Sequence, residues 1–92
     1  MAEYQVEMAR RARLGRESVL KLDRWAGVFL DTFLKQLKDN PRPRDAIPTD
    51  ERGYKTSLHI PTSSLPYRLS IKIEWRIVER DHRVIVSHIE ID

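Results

Sequence analysis

Cysteine is absent, so neither a disulfide nor a thiolate zinc site can brace this chain, an absence in keeping with a reducing cytoplasm. Only Gly15, Gly27 and Gly53 are glycines, and their wide separation excludes a glycine-rich phosphate loop. His59, His82 and His88 have no metal-ligand spacing, and no metal or other cofactor is expected. No stretch approaches the ~20 apolar residues of a membrane span, and the N-terminus lacks the apolar core of a secretion signal. A soluble, intracellular protein is therefore expected. Excess charge of one sign is also scarce: 17 Lys and Arg against 14 Asp and Glu leave +3, too little to prescribe a nucleic-acid partner. The 92 residues have room for one core, so residues 1–92 are read as a single domain.

What the chain does have is clean periodicity. Tyr4, Val6 and Met8 alternate with polar Gln5 and Glu7, the period-two pattern of a half-buried strand. From about Arg10 to Asp39 the period lengthens, with Leu22, Ala26, Phe29, Phe33 and Leu37 recurring at three- and four-residue steps. Asp23 can accept from the free amides of a new helix, which predicts a helical hairpin broken there. Asn40 is expected as a left-handed cap, and Pro41 and Pro43 end the helix, leaving 41–53 as a loop.

Alternation then returns. Tyr54, Thr56, Leu58 and Ile60 face one way, and Lys55, Ser57 and His59 the other. Between Tyr67 and Arg80 the odd positions through Ile77 are apolar and the even ones polar, except Val78. Asp81 and His82 predict a tight turn, and Arg83 to Ile91 a closing strand rich in Val and Ile. The order is β-α-α-β-β-β: an α+β fold with a helical hairpin on one face of an antiparallel sheet.

If the helices cover the apolar side, the other side gathers Lys55 and His59 from one strand and Arg68, Lys72, Arg76 and Arg80 from its neighbour. Alternate residues of a strand lie ~6.6 to 7 Å apart, close to the spacing of successive phosphates. This basic ladder suits RNA. It also suits an ordinary solvated sheet face, in which Glu7, Glu74 and Glu90 neutralise the cations as cross-strand pairs. Tyr67 and Trp75 fall on the apolar side and are expected in the core, so they offer no stacking platform. His59 and His88 are candidate proton-exchange groups, although a lone histidine is more often an ordinary surface or hydrogen-bonding residue.

In order and spacing, YQVEMARRA, LKDNPRPRDAI, GYKTSLHI, PYRLSIKIEWRIVER and RVIVSHIEI together resemble the RelE/ParE superfamily of bacterial toxins across nearly the whole chain. The resemblance implies a type II toxin–antitoxin toxin with a cognate antitoxin as partner. RelE-like members cleave messenger RNA in the ribosomal decoding site without a metal, whereas ParE-like members inhibit DNA gyrase. In the nuclease branch the ribose 2′-hydroxyl attacks the adjacent phosphate while basic side chains stabilise the developing charge. Arg68, in the Tyr-Arg pair, best matches the family's phosphate-contacting arginine. Arg76, after Trp75, is the second match, and Lys55 answers the basic content of the second strand.

One departure concerns the end of the chain. The family's nucleases carry a short tail with a Gly-His-Arg-like turn and a catalytic Tyr or His, whereas Glu90, Ile91 and Asp92 stand where that turn would begin. His88 is the substitute this sequence offers; otherwise a weak nuclease, a gyrase inhibitor or a nonenzymatic, antitoxin-binding member is implied. A strand followed by two helices also describes a ribbon-helix-helix DNA-binding dimer, with Gln5 and Glu7 facing the bases. That alternative leaves the β-rich second half without a role.

Overall fold

The computed structural model describes residues 3–49, 53–62 and 68–92. Strand β1 (Gln5–Met8) leads into helix α1 (Arg10–Leu22) and helix α2 (Arg24–Asp39), followed by β2 (Ile47–Pro48), β3 (Gly53–Ile60), β4 (Leu69–Val78) and β5 (Arg83–Ile91). The sheet order is β1-β5-β4-β3-β2. The expected helical hairpin on a sheet is present, with two additions. The loop expected at 41–53 contributes the short edge strand β2, where Pro48 is tolerated because an edge position need not donate on both sides. The sheet is also mixed, since β1 runs parallel to β5 while every other pairing is antiparallel. Because β5 takes up β1 within the same sheet, the ribbon-helix-helix alternative does not apply.

Asp23 divides the helices in both directions. Its N–H donates to the Val19 carbonyl at the end of α1, and its side chain accepts from the Ala26 N–H at 3.1 Å to open α2. Across the hairpin, Arg16 grips Asp31 through two parallel bonds of 2.7 and 2.8 Å, which raises the arginine's already high pKa. Asn40, expected left-handed, is instead extended at φ −142° and ψ 91°. Pro41 explains the difference, because a proline ring drives the preceding residue into the extended region.

The core lies between the helices and one face of the sheet. Val19, Leu30 and Leu37 meet Ile71, Ile73, Trp75, Val84 and Val86, all buried, and Tyr4, Val6 and Met8 close its edge. Trp75 is 1% exposed, and its indole N–H donates to the Pro41 carbonyl at 2.9 Å, so the largest core side chain also fixes the chain's exit from α2. Gly15 lets α1 lie directly on β5: a Cβ there would stand 1.9 Å from the Ile89 carbonyl oxygen.

Strand β4 alternates as expected between Leu69 and Ile77; Tyr67, expected in the core, lies outside the described residues. The strand ends at Val78. The tight turn expected at Asp81 and His82 is longer, a 3-10 turn over Glu79–Asp81 closed by His82 in the left-handed region at φ 49°. Arg80 therefore sits in the connection, not on the ladder.

Candidate nucleic-acid interface

The face turned away from the helices is built in cross-strand rows. Lys55 pairs with Glu74 and Glu74 with His88; one step along, Ser57 pairs with Lys72 and Lys72 with Glu90; on the other side, Gly53 pairs with Arg76 and Arg76 with Ile85. Lys55, Lys72, Glu74 and Arg76 are exposed, and His88 is half-buried.

His88 reaches this face because of a β-bulge. Val84 and Val86 point into the core, so strict alternation would send His88 inward as well. The register shifts between Glu74 and Trp75, leaving Ser87 as the additional residue of β5 and returning Ile89 to the core. A bulge of this kind re-aims the side chains beyond it. The Ser87 hydroxyl donates to the Glu74 carbonyl at 3.3 Å, joining the two strands at that point.

Strand β2 stands as a rim beside these rows. Between them is an open, polar concavity of about 500 Å³, with Pro48 and Thr49 on one side and Lys55, Glu74 and Arg76 on the other. A smaller one of about 200 Å³, reached by Ile47, Ser57 and Lys72, shares Lys55 and Glu74 with it. The aromatic rings are not on offer: Tyr54 stacks on Trp75 at 6.1 Å on the core side. The concavity is thus suited to phosphate and sugar more than to a stacked base.

Part of the cationic character is already neutralised. Lys72 is 3.5 Å from Asp92 and Arg83 is 3.3 Å from Glu7, while His88 Nε2 shares a 3.0 Å hydrogen bond with Glu90 on the same strand. His59 Nδ1 lies 3.4 Å from the Ser70 hydroxyl, outside both concavities. Among the described residues, Lys55 and Arg76 have no carboxylate closed onto them. The cross-strand pairing anticipated for Glu7 forms, whereas Glu90 reaches His88 within β5 and Glu74 closes onto no cation. Among the described residues, Lys55 and Arg76 are the free cations that line the larger concavity; Arg68 and Arg80, also free, lie outside it.

The structure does not gather all seven residues singled out in the sequence. Lys55, Lys72, Arg76 and His88 share adjacent rows. Arg68 is exposed and just precedes β4, eight residues from Arg76, or about 26 Å along an extended strand. Arg68 and Arg76 therefore cannot grip one phosphate together. Arg80 lies beyond the opposite end, in the 3-10 turn.

Sequence reading missed a polar cluster at that end. The Tyr4 hydroxyl donates to Glu79 at 2.8 Å, Arg42 pairs with the other oxygen of Glu79, and Arg42 Nε donates to the Tyr54 hydroxyl at 3.2 Å. The Arg42 and Tyr4 hydrogen bonds hold the Glu79 carboxyl below its ordinary pKa, and Glu79 pushes that of Arg42 upward. The cluster pins the start of the segment carrying β2, and with it the rim of the concavity. Its members are far apart in the chain and no local pattern marks them.

No family model matches the sequence, and no curated protein matches it. Solved structures do resemble the fold. A chain of the toxin–antitoxin complex RelBE2 from Mycobacterium tuberculosis superposes with a TM-score of 0.71 at 14% identity, covering 100% of this chain and 94% of that one. This chain has the RelE fold. An E. coli RelE toxin with two arginines replaced by alanine, in the free state, aligns with a TM-score of 0.68 at 18% identity, covering 98% of this chain and 83% of that one. The RelE-like architecture expected from the sequence is thereby established, with its helical hairpin on one side of the sheet and the concavity on the other.

Proposed function

We propose that this RelE-fold chain is the toxin of a toxin–antitoxin pair, acting in the bacterial cytoplasm as a metal-independent endoribonuclease on messenger RNA held by the ribosome. The observation that carries this reading is the larger concavity, where Lys55 and Arg76 remain unneutralised beside a histidine that a bulge has turned onto the same face. The two cations hold the phosphate and stabilise the charge that builds on its oxygens as the 2′-hydroxyl attacks. His88, fixed by Glu90, exchanges a proton with the reacting oxygens. Lys72 extends the contact along the strand, and His59 and Arg68 extend it towards the start of β4. Arg80 touches RNA only where it passes the opposite end. Geometry thus favours Arg76 over Arg68 as the central arginine, reversing the order implied by resemblance.

The expected partner is an antitoxin, as in the RelBE2 complex that supplies one structural neighbour. Leu22, Trp25, Val28 and Phe29 are all exposed on the helical hairpin, an apolar surface suited to a protein partner. Expression in a bacterial host tests the reading. Growth arrest with ribosome-dependent cuts in transcripts is expected. Gyrase-linked DNA breaks would instead place the chain with ParE-like inhibitors, and unimpaired growth would make it a nonenzymatic antitoxin-binding protein.

A further inference from the structure

We propose that Glu74 is a catalytic residue, the general base that takes the proton from the ribose 2′-hydroxyl; this assignment rests on the nuclease reading above. Glu74 is the only acidic side chain lining either concavity among the described residues, and it lines both. Its position is unfavourable for binding alone. Lys55 and His88 stand opposite it on β3 and β5, Lys72 and Arg76 flank it on β4, and Glu90 lies one row further along β5. A carboxylate at the centre of an anion-binding surface repels the phosphate that its neighbours attract.

A solvated charge pair is the simpler explanation for such a residue, and the other carboxylates of this face are engaged in that way or by a hydrogen bond. Glu7 closes onto Arg83, Asp92 onto Lys72, and Glu90 shares a hydrogen bond with His88. The Glu74 carboxylate has no hydrogen bond or ion pair among the described residues, although Lys55 is its direct cross-strand partner. It is an acceptor left open towards the concavity. The backbone beneath it is fixed by the bulge and by the Ser87 hydroxyl on its carbonyl.

Neighbouring strands lie about 5 Å apart, so Glu74 and His88 present two proton-handling groups within the width of one phosphodiester. Glu74 removes the 2′-hydroxyl proton as the O2′–P bond forms. The P–O5′ bond breaks, and the imidazolium of His88 gives its proton to the departing O5′. The products are a 2′,3′-cyclic phosphate and a 5′-hydroxyl end, with Glu74 protonated and His88 neutral until solvent restores them.

The test compares the full-length protein with Glu74→Gln and Glu74→Asp on ribosomes programmed with a defined messenger RNA, across pH. Binding is measured separately with a 2′-O-methyl RNA that cannot be cut. Glu74→Gln is expected to slow cleavage by about 10²- to 10⁴-fold and to abolish the acidic limb of the pH–rate profile. It should bind the uncleavable RNA at least as tightly, since a negative charge has gone, while Glu74→Asp should keep the acidic limb. Cleavage by Glu74→Gln within about threefold of the parent, or an unchanged acidic limb, overturns the assignment and leaves the nuclease reading intact. A parent protein that cuts nothing overturns both.

Discussion

Trp75 shows how much one side chain can decide. Its ring fills the core against Phe33 and Tyr54 while its N–H satisfies the Pro41 carbonyl, so it joins sheet, helix and the segment leading to β2. Trp75→Ala should cost about 3 to 5 kcal/mol, read as a shift of the urea midpoint, because the cavity cannot collapse without moving the rim. An unchanged midpoint would mean the tryptophan is not the keystone described. Its inward orientation was legible from alternation with Ile73 and Ile77; its hydrogen bond to a residue 34 positions earlier was not.

At the scale of elements, the bulge in β5 governs what the open face contains. The sequence VIVSHIEI places Val84 and Val86 on even positions and Ile89 and Ile91 on odd ones, so the change of parity was visible in the residue pattern although it was not used as a signal. Deleting Ser87 takes out the extra residue, and strict alternation then sends Val86 inward, His88 outward and Ile89 inward, so both faces of the sheet are kept. A stability loss under about 1 kcal/mol is expected by denaturant unfolding, well below the ~2 to 5 kcal/mol of emptying an isoleucine site. A loss in that larger range would contradict the account of how His88 reaches this face. The helices were readable for a related reason: Asp23 interrupts a 3.6-residue period at a point where its side chain can serve as a cap. Strand β2 was not readable, because two residues, one of them proline, carry no period; their pairing depends on β3.

For the molecule as a whole, the sheet divides a hydrophobic interior from a polar open face, and the Tyr4–Glu79–Arg42–Tyr54 cluster joins the residue before β1, the turn after β4, the segment after α2 and strand β3. Alternation foretold the two faces of the sheet, but it could not tell which cations remain free, since that depends on contacts such as Lys72 with Asp92. The cluster also sets a pH dependence. Glu79 is held below its ordinary 4.5, so its stabilising effect is complete above that value and disappears as pH falls through the lowered one. Melting temperatures of the parent and Glu79→Gln should therefore differ most at neutral pH and converge in acid. A gap that persists below that range would locate the effect elsewhere.

The central claim is that RNA is engaged on the open face beside β2. Cleavage rates of Arg76→Ala and Arg80→Ala on ribosome-bound messenger RNA test it most directly, since each variant removes one exposed arginine, from the concavity in one case and from the turn in the other. Losing a group that stabilises the transition-state charge should slow Arg76→Ala by about 10²-fold or more, while Arg80→Ala stays close to the parent. Equal losses, or a larger loss for Arg80→Ala, would contradict the account.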